Sequence, residues 1–201
     1  MAFLRAGTGS EHPSAIEGRG FRMRAPEMSD YGPWAELRTL SRQHLSPWEP
    51  LWTRDELTRS AYRRRLKHYQ REAWEDQGYA FLIFGAGDDR LLGGLSLSNV
   101  RRGVTQAAAL GYWIGQPYAG RGIMSEAVRA ALPVFFGVLK LHRIEAATQP
   151  VNLPSIRVLE RNAFAREGFA RSYLKISGAW ADHILFARLA GDDANDGAPA
   201  A

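Results

Sequence analysis

In GYWIGQPYAGRGIMSEAV (residues 111–128) an apolar strand runs into a glycine-bearing loop, and the loop opens a helix. Gly120 and Gly122 let the backbone approach a ligand with no Cβ in the way. The amides of residues 120–125 then point out of the helix start, where the helix dipole also favours negative charge. This geometry suits a pyrophosphate, and Arg121 adds a charged donor. A G-x-G pair by itself is more often only a turn. Two familiar phosphate loops are excluded. A Walker A loop requires G-x-x-x-x-G-K-[ST], and no such run occurs. A Rossmann fingerprint opens the first parallel β-α-β unit and has a third glycine in place. Here the loop follows three strands that read as antiparallel.

Upstream of the loop the chain reads as β. YAFLIF (79–84), LLGGLSLSNV (91–100) and AAALGYWIG (107–115) are strands joined by the turns GAGDDR and RRGVTQ. Before them Thr53-x-x-Glu56 predicts a capping box, and a long helix follows to about Gln77. Asp30 is placed to cap a shorter helix over Trp34, Leu37 and Leu40, and Phe21, Met23 and Ala25 alternate as a first strand. Downstream a helix runs from about Ile123 to Leu139, with Pro133 expected to kink or end it. HRIEAATQP (142–150) is a strand and NLPSIRVLERNAF (152–164) contains a short helix. GFARSYLKI (168–176) and ADHILFARL (181–189) form a closing hairpin. The order is β-α-α-β-β-β-α-β-α-β-β, an α+β fold with a mixed, mostly antiparallel sheet and helices on both faces. Residues 1–20 read as a flexible leader, 21–190 as one domain and 191–201 as an acidic tail.

The chain has 201 residues, which suits a single domain. It has no cysteine, so disulfide scaffolds, thiolate zinc sites and cysteine nucleophiles are excluded. No apolar run reaches the ~18–20 residues of a membrane helix, and the start is too weakly apolar for a signal peptide. A cytoplasmic protein away from membranes is expected. The net charge is +5, and only Lys67, Lys140 and Lys175 are lysines, so the excess is arginine. Such a balance favours phosphates, RNA or an acidic protein. Arg59, Arg63, Arg64, Arg65, Lys67 and Arg71 crowd one helix, either as a solvated face or as a surface for an RNA-rich or acidic partner. Histidines 44, 68, 142 and 183 lack i,i+4 pairing, and no metal site is read.

Several motifs in order resemble the GNAT superfamily of acetyl-CoA-dependent N-acetyltransferases. AGRGIM (119–124) falls on the family's Q/R-x-x-G-x-G/A loop, with Ala119 and Met124 off the pattern and Gly122 in register. NLPSIRVLERNAFAREGF resembles the family's N-x-x-S-x-x-v-l-e-k-x-G-F-x-x-E-G, with Ala163 where glycine is usual. GAWADHILFARL resembles the closing strand of the RimJ/RimL branch, whose members acetylate ribosomal proteins. SPWEP (46–50), SNVRRG (98–103) and LHRI (141–144) resemble the RimJ side of that branch. The resemblance spans about residues 20–190.

The resemblance implies a strand pair that splays to hold pantetheine, with acetyl-CoA as co-substrate. Trp113 and Ile114 would give backbone groups to the pantetheine amides. Gly120, Arg121, Gly122, Ile123, Met124 and Ser125 would hold the pyrophosphate. Asn152 would bond the cofactor arm, or only cap its helix. Ser155 would protonate the leaving thiolate, or only cap. The place of the family's catalytic carboxylate falls at Ser172. Glu49 is then a candidate for base or for gripping the acceptor's amino end. Glu145 is a weaker candidate that can instead face a structural arginine, and Glu167 reads as a turn holder. Trp48, Asn99 and Ser172 are expected at the acceptor. An α-amine has a pKa of about 7.7–8.0 and is roughly 10–15% neutral at pH 7, whereas lysine is almost wholly charged. A weak base therefore favours α-amine acceptors. The expected activity is acetylation of a protein N-terminus, of the ribosomal-protein alanine type. A small-molecule amine acceptor and a non-catalytic ribosome- or RNA-associated module are the alternatives. Specific DNA binding is not expected, and a homodimer is left open.

Overall fold

A computed structural model describes residues 15–192. The strands β1 (Ile16–Gly18), β2 (Phe21–Arg24), β3 (Tyr79–Gly85), β4 (Leu91–Arg101), β5 (Ala107–Ile114), β6 (Arg143–Thr148), β7 (Ala165–Ile176) and β8 (Ala179–Leu189) form one sheet. Their order is β1-β2-β3-β4-β5-β6-β8-β7. Every described pairing is antiparallel except β5 with β6, which are joined by the crossover through α4 (Ile123–Pro133). The mixed sheet expected from the sequence is present.

Strand alternation sorts the side chains onto two faces. Phe81, Ile83, Leu95, Leu97, Ala108 and Leu110 join α4 and α5 (Leu153–Glu160) in the larger core. Leu82, Phe84 and Leu91 pack on the opposite face with Trp34 and Leu37 of α1 (Tyr31–Leu40) and Tyr62 of α3 (Arg59–Trp74). The short α2 (Arg42–Leu45) and a 3₁₀ turn at Ser46–Trp48 continue from α1 towards the C-terminal end of β5. No helix among the described residues is long and apolar enough to cross a membrane.

Three local expectations are corrected. The segment assigned to the leader contains β1, which pairs with β2 and buries Ile16. Residues 1–14 lie outside the described residues, as do 193–201 of the acidic tail. Thr53 is not a helix cap: its hydroxyl bonds Asp55 and Glu56, and the long helix begins only after Thr58, whose oxygen accepts the Ala61 amide at 3.2 Å. Asp30 makes no cap bond to α1; it accepts the Glu27 amide and two bonds from Arg24. Pro133 ends the α-helix, one of the two outcomes expected of it, and the chain passes into a π-helical turn over Val134–Val138, closed by the Leu139 amide on the Val134 carbonyl at 2.9 Å.

Candidate active site

β5 and β6 are in register only at Ala107↔Arg143, Ala108↔Ile144 and Ala109↔Glu145. Beyond that point the strands part. On its other side β5 stays paired with β4 as far as Gly93↔Ile114. Main-chain groups of Leu110–Ile114 thus face a wedge instead of a neighbouring strand. A cavity of about 480 Å³ fills the wedge. Its lining joins the end of β5, the loop into α4, the end of β6, the start of α5, the 3₁₀ turn at Trp48 and His183 of β8.

The loop leaves main-chain amides open at the start of α4. Gly120 and Gly122 have φ of +74° and +78°, and nothing lies within 4 Å of a Cβ built on either. The constraint on them is conformational, since a left-handed backbone strains any other residue by about 1–2 kcal/mol. Gly122 is the N-cap of α4 and no side chain caps it, so the first amides of that helix are open to a ligand. Met124 and Ser125 are buried, so their contribution to a ligand is main-chain. Arg121 projects beside Tyr118, its guanidinium 6.0 Å from the ring centroid.

At the far side of the wedge Asn152 caps α5, accepting the Ser155 amide at 3.2 Å. The Ser155 hydroxyl lies 2.9 Å from the Tyr112 hydroxyl. Burial pushes the Tyr112 hydroxyl up to about 12, against a smaller lowering by Ser155, so it stays protonated at neutral pH. Tyr112 packs towards the α4–α5 core, while its neighbour Trp113 packs towards α1. The wedge therefore opens to both faces of the sheet.

On the α1 face Glu49 is clasped. Arg38 donates to its two oxygens at 3.1 and 2.5 Å, and the Trp52 indole donates at 2.7 Å. Arg38 is buried among three indoles, with centroid distances of 5.7 Å to Trp34, 4.5 Å to Trp52 and 5.2 Å to Trp113. Such a bidentate pair fixes the orientation of the carboxylate.

The structure brings Trp48, Glu49, Trp113, Ile114, Gly120 to Ser125, Asn152 and Ser155 to this one cavity. It does not bring Asn99 or Ser172 there. Asn99 sits in a bulge at the other end of β4, with φ of +51°. Ser172 sits in a bulge of the edge strand β7, where its amide donates to Asp182 at 2.7 Å. Glu145 lies before the strands part. Burial pushes its carboxyl up, but Arg101 and Arg143 outweigh this and hold it below the usual range. Glu167 is likewise held down by Arg143. Tyr112, Arg38 and His183 were not legible as site residues. Tyr112 stood inside the quoted stretch but reads as strand core. No group of three or more His, Asp or Glu side chains among the described residues is placed to hold a metal.

Comparison with known proteins agrees with this geometry. The family model described as an acetyltransferase (GNAT) domain matches residues 21–165. The probable N-acetyltransferase YjcK of Bacillus subtilis is 40% identical over 178 residues, covering 89% of this chain and 98% of that protein. The [ribosomal protein uS5]-alanine N-acetyltransferase of Escherichia coli is 36% identical over 153 residues, covering 76% and 79%. Among solved structures, Mycobacterium smegmatis RimJ in complex with CoA-disulfide superposes with a TM-score of 0.82 at 31% identity, covering 90% and 89%.

Proposed function

This chain belongs to the GNAT acetyltransferase family, and from that premise we propose that it acetylates the α-amine of a protein N-terminus, of the kind carried by alanine-starting ribosomal proteins. The family uses acetyl-CoA, and its members are N-acetyltransferases, which sets the non-catalytic reading aside. A relative that modifies the alanine of a ribosomal protein supports the choice of acceptor.

The observation that carries the proposal is the two-faced wedge. Acetyl-CoA enters along the unpaired edge of β5, with its pyrophosphate on the amides that follow Gly120 and Gly122. Trp113 and Ile114 offer main-chain groups to the pantetheine arm. Asn152 borders the same arm and keeps its capping role. On the α5 face the Ser155 hydroxyl, backed by Tyr112, protonates the departing thiolate. On the α1 face Trp48 gives the acceptor's first side chain an apolar wall. The Glu49 carboxylate attracts its amino end. Bound to Arg38 and Trp52, Glu49 acts as an anchor more than as a proton acceptor. Neutral amine attacks the thioester carbon, β5 amides stabilise the oxyanion, and the C–S bond breaks as the amide forms.

The test is release of CoA thiol from acetyl-CoA with alanine- and serine-starting peptides, small amines and no acceptor. Turnover is expected with the peptides. Turnover confined to small amines would replace the proposed acceptor.

A further inference from the structure

The proposed reaction lacks a proton acceptor. Glu49 is occupied by Arg38 and Trp52, and neither Glu145 nor Ser172 reaches the cavity. His183 does. It is 3% exposed, yet it is one of the residues that line the wedge. The last pair between β6 and β8 is Thr148↔Ile184, so His183 stands one residue past the end of β6, where that strand has left β5.

Its face of the sheet is fixed by alternation. Ile184 and Phe186 pack into the α4–α5 core, so His183 points to the other face, where His44, Trp48 and Glu49 border the cavity. The 47–49 segment is tied to this end of the sheet. The Gln149 amide group donates to the Pro47 carbonyl at 3.1 Å, and the Ser177 amide donates to the Glu49 carbonyl at 2.8 Å. Ser155 and Tyr112 lie across the wedge.

One hydrogen bond sets the ring's tautomer. Nδ1 lies 2.9 Å from the Ala181 carbonyl oxygen. A carbonyl only accepts, so Nδ1 carries the hydrogen and the neutral ring has its lone pair on Nε2. Nε2 makes no hydrogen bond among the described residues. The Tyr173 ring, 5.9 Å away at 65°, steadies the imidazole from one side. His44 is half-buried and makes no bond among the described residues that fixes its tautomer.

We propose that His183 Nε2 is the general base that takes the proton from the acceptor amine. This rests on the acyl-transfer reading above. The amine lone pair forms the C–N bond and the carbonyl electrons move to oxygen. One N–H proton passes to Nε2. The oxyanion re-forms the carbonyl and expels the thiolate, which takes a proton from Ser155 Oγ. The imidazolium returns its proton to solvent and Ser155 regains one, so the net change is amine plus thioester to amide plus thiol. His183 and Ser155 border the cavity from opposite faces of the sheet.

The test compares wild type with His183→Ala and His183→Gln, using alanine-starting peptides and acetyl-CoA. Both variants should lower kcat by roughly a hundredfold or more, in the range of general-base catalysis, and leave acetyl-CoA affinity unchanged. Imidazole added to the assay should restore part of the turnover of His183→Ala, which a merely structural role would not allow. Nitrogen NMR of the wild-type protein should find the Nδ1–H tautomer at this ring, a readout independent of how the variants fold. Turnover of either variant within a factor of about three of wild type overturns the role of His183. So does a neutral ring protonated on Nε2. Absence of wild-type turnover with every N-terminal peptide overturns the proposed function instead.

Discussion

Burial of the Tyr112 hydroxyl has a chemical consequence. With its pKa pushed up to about 12, the phenol remains a donor at neutral pH; it donates to the Ser155 carbonyl at 3.2 Å and can turn its hydrogen to the Ser155 hydroxyl 2.9 Å away. Ser155 is then able to give its own proton to the thiolate and be refilled in place. The Asn152 cap uses the Ser155 amide and leaves the hydroxyl free for this work. Ser155→Ala should lower kcat by about 10- to 100-fold with little change in acetyl-CoA affinity. Tyr112→Phe should have a similar but smaller effect, and the double variant should fall short of the product of the two, as expected for one relay. Steady-state kinetics and a CoA titration check this. Unchanged turnover in Ser155→Ala would leave Ser155 as a helix-start residue only.

Legibility of the elements followed the range of their causes. The strand, loop and helix at 107–133 were readable because alternation, two glycines and an amphipathic stripe are local signals. β1 escaped because three residues carry almost no period. The start of α3 was misplaced because Thr53 and Thr58 both suit a cap, and contacts of Asp55 with Arg64 and of Glu56 with Arg65 decide between them. Glu145 could be catalytic or structural until β4, β6 and β7 met and placed Arg101, Arg143 and Glu167 around it. That cluster yields a stability prediction. Glu145 and Glu167 are held below their ordinary value of 4.5, so their contribution is present above that pH and is lost as pH falls through the lowered range. The side chains are a quarter to two-fifths exposed, which limits the effect to about 1 kcal/mol. Arg143→Gln should lower stability by that amount at pH 7. The gap should narrow as pH falls below 4.5 through the lowered range, where wild type loses the same interaction. Urea unfolding at pH 7 and across that acid range reads it out, and a gap that stays constant would refute the assignment.

The two faces of the sheet meet at the wedge, and this explains why only half of the site was legible. The phosphate side is built from consecutive residues, so motif spacing exposes it. The acceptor side draws Arg38, Trp48, Glu49, Trp113 and His183 from four separate parts of the chain; the resemblance points to Trp48, Glu49 and Trp113, but Arg38 and His183 join them only in the folded sheet. The same wedge is a place of incomplete pairing, since β5 beyond Ala109 has no partner on one edge. A ligand that occupies it links β5, α4, β6 and α5 and should stabilise the whole fold by mass action. At a concentration a hundred times its Kd, CoA should contribute about 2.7 kcal/mol. For a chain of this size that corresponds to a Tm rise of roughly 5–11 °C. Gly122→Glu should abolish the rise, because it places a carboxylate among the amides meant for phosphate. It should also lower the unliganded Tm by only roughly 2–8 °C, because the position is open and the cost of about 1–2 kcal/mol is backbone strain alone. Thermal melts with and without CoA separate the two effects. A Gly122→Glu variant that still gains the full shift would mean that the phosphates bind elsewhere, and the wedge would lose its claim to the thioester.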